Sequence, residues 1–543
     1  MTPPSEVAMT TGSTLVQAAP LTAFLLIICV TLLLCLLLGV TSDGVEDLYV
    51  AGQSVRPWAN ALALTGDLVS VLILLSTVGL VAASGYDGIV AGVSTAVALG
   101  VLLVLARPLR TTGRFTLGDT LAARFSGGGV RVAATVVTLG CSLPLAIVQL
   151  TSAGEATAAL IGVDEAGAAQ ICTIFIGAMM VCAAALTGMR GNTMLQAIKT
   201  VVVFGWMGLL VLLVMARAGW SPDVLLTGAA DHSVAPHGYY APGVRLAAGL
   251  TGRLNLVSLQ ISIILGLAVV PHMVMRVKAA ESGTSARRSV FLAIVMAVPF
   301  CLMSVILGLG ASAYGGRPAG GGFAVQSAGP LLMLAQAMGA QWGGGLVVAL
   351  TVSAVFLTSL TVVAALTLSS SSALVHDLYA QRRQRGNVSA EAEVRAMSWV
   401  TPALGALAVV LSVAAQAWNI QFMAQFAVTT AASTVLPALV YALFWTRCTR
   451  AGILWCIYVG LGTSVVFLVF GTSVSGAPGA LFPTSDFAWF PLQSSGLVSV
   501  PAAFVAGWVA SRRTSRGTTA GQWGAASAVM PSAHADGTTT RRA

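Results

Sequence analysis

Apolar runs of the roughly 20 residues that a helix needs to cross a bilayer recur thirteen times along this chain. They lie near 21–42, 58–83, 89–106, 130–153, 166–187, 195–215, 248–272, 289–314, 343–374, 398–417, 420–446, 452–471 and 493–511. In hydrocarbon every backbone polar group must be satisfied internally, so such runs fold as helices. The fold class that follows is an all-α polytopic membrane protein. Composition agrees: the chain is 57% hydrophobic and 8% charged, with a mean hydropathy of +0.90, whereas a soluble domain carries about a quarter charged residues.

Charge sets the expected orientation. With the N-terminus outside, the outer segments hold Arg217, Arg245, Arg253 and Arg317, and the other 27 − 4 = 23 basic residues fall on the opposite side. Those include "RPLRTTGRF", "MRVKAAESGTSARR", "YAQRRQRG" and "WTRCTR". The asymmetry predicts an outer N-terminus and a cytoplasmic C-terminus. Because the basic residues form short clusters between apolar runs, the expected macromolecular surroundings are a lipid bilayer and not nucleic acid. Oligomeric state is not legible.

Several function classes drop out. Of the eight cysteines, Cys29, Cys35, Cys141, Cys172, Cys182, Cys301 and Cys456 lie in apolar runs and Cys448 beside a basic turn. None has metal-ligand spacing and the five histidines do not join them, so no metal or redox cofactor is expected. The first twenty residues hold no Lys or Arg, so no signal-peptide n-region is expected. The outer segments 216–247, 315–342 and 472–492 are rich in Gly, Pro, Ser and aromatics, and the tail 514–543 reads as disordered. With no stretch fit for a soluble enzyme domain, the chain is expected not to be an enzyme. Its function lies in the bundle, as transport, conduction or sensing.

Two spans carry internal breakers. The second, "LALTGDLVS", has Gly66 beside Asp67, with Thr65 and Ser70 nearby. The seventh, "ISIILGLAVVPHMVMR", has Gly266 in mid-span and Pro271 towards its inner end. Backbone groups freed inside a span persist only against protein, water or a ligand. Two interrupted helices in corresponding halves point to an inverted-repeat transporter with its ligands between the breaks. An ionisable residue such as Asp67 within a span is a functional-site hypothesis by default. It could carry the coupling ion, or it could cap the half-helix that starts at the break. In the ninth span Thr358 and Thr361 share a helical face, where they could cage a hard cation or bond within the bundle.

These segments resemble a family. "DLYVAGQSVRPWANALALTGDLVS", "SGYDG", "RPLRTTGRFTLGDTLAARF", "PHMVMR" and "LTLSSSSALVHDLY", with "VQLTSAG", "GMRGNTMLQAIK" and "NIQFMAQFAVTTAAS", are similar to the sodium:solute symporter family and its acetate or monocarboxylate permease branch. The likeness covers about 47–511. It implies a five-plus-five inverted-repeat, leucine-transporter-like core: one helix before it (21–42), a first repeat over 58–215, a second over 248–446, and two further helices over 452–511. It also implies sodium as a co-transported ion, held by the carbonyls of Gly66, Val69 and Thr358 and the hydroxyl of Thr361. Better-known members have a second hydroxyl where this chain has Val362. Sodium and the proton therefore both stand as coupling ions, with Asp67 as the expected proton carrier.

The candidate substrate contacts are Ser70, Gln149 and Gly266. Gln149 could offer its amide to a carboxylate or bond another helix. Arg253 is expected to snorkel at the outer interface, His272 to lie at the cytoplasmic end with Arg276, and Glu155 to be solvated. The function expected is symport of a small monocarboxylate such as acetate, propionate or pyruvate with a cation, by alternating access. The alternatives are another small solute of the same family, or a non-transporting sensor that retains the fold.

Overall fold

The computed structural model describes residues 4–39, 44–162, 167–233, 236–243, 249–316, 329–340, 345–380, 389–416, 420–476, 480–482 and 484–515. The first half comprises α1 (Pro4–Gly39), α2 (Val45–Val50), α3 (Pro57–Leu68), α4 (Val71–Ser84), α5 (Tyr86–Thr111), α6 (Leu117–Ala122), α7 (Gly128–Ile161), α8 (Ala168–Arg217) and α9 (Pro222–Asp231). The second half comprises α10 (Gly249–Leu267), α11 (Pro271–Lys278), α12 (Gly283–Tyr314), α13 (Gly329–Gly339), α14 (Gly345–Ser372), α15 (Ala390–Ala414), α16 (Ile420–Thr430), α17 (Leu436–Phe444), α18 (Arg450–Val469) and α19 (Gly496–Ser515). Among the described residues ten helices are long and apolar enough to cross a membrane, or eleven when α3 and α4 are taken as one bent span. Each expected span falls on helical segments, the second on α3 and α4, the seventh on α10 and α11 and the eleventh on α16 and α17, and α8 carries two spans. These meet at Gly188, whose φ of 51° and ψ of −169° suit glycine alone. The tail beyond Ser515, Arg245 and Arg317 fall outside the described residues.

Both expected interruptions are present. At the first, Val69 leaves the helical path (φ −70°, ψ 68°) and Ser70 is extended. α3 and α4 meet there at 54°. Ser70 starts α4, because its side-chain oxygen accepts from the Ile73 amide at 3.3 Å. At the second, α10 ends at Leu267 and α11 begins at Pro271. Proline holds the preceding Val270 extended (φ −54°, ψ 138°) and needs no partner for the N–H it lacks. α3 packs between α8 and α12, and α14 lies against α7 and α8, so the first break is enclosed by helices of both halves.

A polar network gathers helix ends away from the breaks. Arg131 of α7 pairs with Asp119 of α6 at 2.7 Å and with Asp377 at 2.8 Å, the latter on the π-helical continuation of α14. His376 on the same turn reaches Asp119 at 3.1 Å and Glu393 of α15 at 2.7 Å, and Tyr49 of α2 donates to Glu393 at 2.9 Å. Burial opposes the charge on Asp119, but the hydrogen bonds and charges of His376 and Arg131 prevail and hold its carboxyl well below the usual carboxylate range. Burial, aided by the charge of Glu393, pushes the Tyr49 phenol up, so it stays a donor.

Candidate functional site

Four residues of α8 form one stripe: Thr193, Gln196, Lys199 and Thr200 recur at helical spacing and are buried. The stripe faces α3, and Gly66 allows the approach. A Cβ there would lie 2.7 Å from both Gln196 Oε1 and Thr200 Oγ1. Across this contact Lys199 Nζ donates to the carbonyl of Val69 at 3.0 Å and also to that of Gly66. Two carbonyls freed by the bend therefore hold a cation that belongs to the chain.

Asp67 sits beside that contact. Its Oδ2 accepts from Arg276 Nε at 2.8 Å, and its Oδ1 accepts from Gln196 Nε2 at 2.5 Å. The side chains of Arg276 and Asp67 are 1% and 0% exposed. Arg276 also donates to Thr193 at 2.6 Å, and Gln196 to the Thr361 carbonyl at 3.2 Å. The pair links the first broken helix to the second, since α11 carries Arg276. Breaking such a pair by removing one partner typically costs about 3–5 kcal/mol.

A cavity of about 30 Å³ opens between the breaks, lined by Asp67, Ser70, Leu72, Gln149, Val270, His272, Met273 and Val362, among others. Gln149 Oε1 accepts from the Val71 amide at 3.2 Å, so what the side chain has left to offer is its N–H donors. A second cavity, of about 70 Å³, lies along α4 between Thr77, Thr95, Ser262 and Gln425. Leu72, Ile73 and Leu267 border both cavities and form an apolar wall between them.

Several expected roles change. Asp67 does not cap α4: it is next to last in α3, and Ser70 is the cap. Nor is it an isolated charge, because Lys199 and Arg276 are buried around it. The carbonyls of Gly66 and Val69 are engaged by Lys199. The Thr361 hydroxyl donates back to the Leu357 and Thr358 carbonyls at 3.1 and 3.2 Å, which leaves its oxygen lone pairs free. The Thr358 hydroxyl is buried without a partner among the described residues. Gly266 packs on α16, where a Cβ would lie 2.1 Å from the Val428 carbonyl oxygen, and it is not among the residues lining the cavity. His272, the second residue of α11, lines the cavity. Glu155 is half-buried and Arg253 exposed. Ser70 and Gln149 do line the cavity, the first with its oxygen engaged in capping.

Lys199, Gln196 and Thr193 are the residues that sequence reasoning passes over. A signal existed, because Lys199 lies inside the run 195–215. Counting it with loop residues conceals a second midmembrane charge.

An all-helical bundle whose two broken helices meet around a small cavity has the architecture of a secondary transporter. The chain belongs to the sodium:solute symporter family, whose profile matches residues 48–460. It is 33% identical over 502 residues to the monocarboxylic acid transporter of Corynebacterium glutamicum, covering 90% of each chain. It is 30% identical over 495 residues to the uncharacterized symporter YwcA of Bacillus subtilis, covering 90% of this chain and 94% of that one. Its fold is similar to that of a Na+-coupled sialic acid symporter solved substrate-bound and outward-open, with a TM-score of 0.67 at 14% identity over 92% of this chain and 97% of that one. Mhp1, a nucleobase-cation-symport-1 family transporter, matches with a TM-score of 0.55 at 14% identity, over 88% of this chain and 97% of that one. The protein is thus a multi-pass integral membrane protein with the leucine-transporter-like fold, and a cation-coupled symporter.

Proposed function

We propose that the chain imports a small monocarboxylate, of the size of acetate, propionate or pyruvate, together with a cation across the cell membrane by alternating access. The observation that carries this reading is a charge count at the breaks. With Lys199 protonated, it and Arg276 bring two positive charges and Asp67 one negative, all three side chains buried. A buried excess of one positive charge is costly unless paired, and a single carboxylate entering the adjoining cavity would balance it. The remaining N–H donors of Gln149 suit an anion. The apolar wall of Leu72, Ile73 and Leu267 suits a short aliphatic tail. The cavity measures about 30 Å³, more than the roughly 10–15 Å³ that one water needs on this measure. Parting of the breaks would widen it for a carboxylate, as alternating access demands.

The name of the Corynebacterium relative supports the same substrate class. The test is uptake of labelled acetate, propionate and pyruvate by the purified full chain in liposomes, under separately imposed sodium and proton gradients. Saturable accumulation of one of them is expected. Accumulation of none under either gradient would defeat the reading. The proposed orientation has its own check: a cysteine within 224–240 should label from outside intact cells and one within 382–390 should not. The opposite pattern would reverse the bundle.

A further inference from the structure

Backbone carbonyls freed by a break in a membrane helix are the kind of ligand that holds a hard cation. At the first break two of them, from Gly66 and Val69, converge on one atom, Lys199 Nζ. That side chain is fully buried and lies beside the Asp67–Arg276 pair, with Gln196 of the same α8 stripe bridging Asp67 to the Thr361 carbonyl. A sodium ion on these carbonyls would have to displace the ammonium or sit against it. The first is opposed by the covalent tether of the lysine, and the second by repulsion between like charges in a medium of low dielectric. Of the other oxygens near this region, the Thr361 hydroxyl donates within its own helix and keeps its lone pairs, Gln196 Oε1 and the Thr358 hydroxyl are buried without a partner among the described residues, and Val362 supplies none.

We propose that Lys199 is the resident cation of this seat and sets the ion specificity of the transporter by excluding sodium from it. Transport then runs without sodium, and the coupled cation is one that needs no coordination shell, the proton. This rests on the symport reading only for its uptake measurement; the binding measurement below involves no substrate.

The experiment uses the purified full chain and Lys199→Ala, each checked for monodispersity. Thermal unfolding is followed in sodium chloride against potassium chloride at equal ionic strength, and acetate uptake is followed in liposomes in sodium against choline. The parent should show no sodium-specific shift and equal uptake in both salts. The variant removes the ammonium and leaves the carbonyls, so sodium should raise its unfolding temperature by a few degrees, as any ligand of the folded state does. Residual uptake by the variant should rise about five-fold or more on adding sodium, if sodium restores the lost positive charge. Sodium-specific stabilisation of the parent would overturn the proposal, and so would a folded Lys199→Ala that gains no sodium response. Should the alanine variant fail to fold, Lys199→Ser, which keeps an oxygen at the seat, takes its place. If neither folds, the parent decides, since stabilisation by sodium there refutes the proposal and sodium-indifferent unfolding and uptake uphold it. If acetate accumulates under no condition while the unfolding data behave as expected, the substrate reading fails and the assignment of Lys199 stands.

Discussion

At the break between α3 and α4 the carbonyls of Gly66 and Val69 turn to a lysine from another helix, whereas the break between α10 and α11 closes on itself. There the Val269 amide donates to the Gly266 carbonyl at 3.0 Å, and the amides of Met273 and Val274 donate to the Val270 carbonyl at 2.9 and 3.2 Å. Pro271 has no amide to place. Local turns engage backbone groups at both breaks, the Ser70 amide donating to the Leu68 carbonyl at 2.7 Å at the first, and the first adds a tertiary contact with a charge. The two halves thus share a device and not its chemistry. A break satisfied from a distance can respond to what happens in α8, while a break satisfied locally acts as a fixed joint.

That contrast can be broken most forcefully at Asp67. Asp67→Asn leaves the buried Arg276 without its counter-charge and should lower stability by about 3–5 kcal/mol. Joining it to Arg276→Met should recover most of the loss, because the orphaned charge is then gone. Unfolding curves of the two variants in detergent decide the matter, and a single variant as stable as the parent would dissolve the supposed tie between the breaks.

Gly266→Ala probes the self-contained joint. Its Cβ would meet a main-chain oxygen of α16, which cannot swing aside as a side chain could. A loss of about 1–3 kcal/mol is expected from overpacking, with no change in ion preference. An alanine variant of parental stability would show that α10 and α16 are looser than their contact implies.

Thr361→Val should do least. The hydroxyl bonds only its own helix, so stability should fall by no more than about 1 kcal/mol, and uptake should keep its response to ions. A changed sodium response would return Thr361 to a cation site and narrow the difference between the breaks.

The spans and the two interruptions can be read from the chain because each depends on local signals: run length, a Gly–Asp step, a serine start, a proline. The partners cannot. Arg276 lies 209 residues from Asp67 and Lys199 lies 133 from Gly66, and no periodicity announces contacts at such range. The capping alternative for Asp67 fails for the same reason. An acid next to a break looks like a cap when its neighbours in space are unknown, although the hydroxyl three residues on does the capping. Gly266 shows the converse, where the site is right for a break and wrong for a ligand contact, because a glycine bares the backbone equally to a helix and to a substrate.

The ion pair between α3 and α11 also has a kinetic meaning. It fastens together the two half-helices on one side of the cavity, whereas α4 and α10 on the other side face each other across the second cavity and a wall of three apolar side chains. Parting the second face asks for rotamer changes. Parting the first asks for two charges to separate in a dry interior, or for α3 and α11 to swing as one lever. In the proposed cycle the fastened face is therefore the costlier of the two to part, unless α3 and α11 move together.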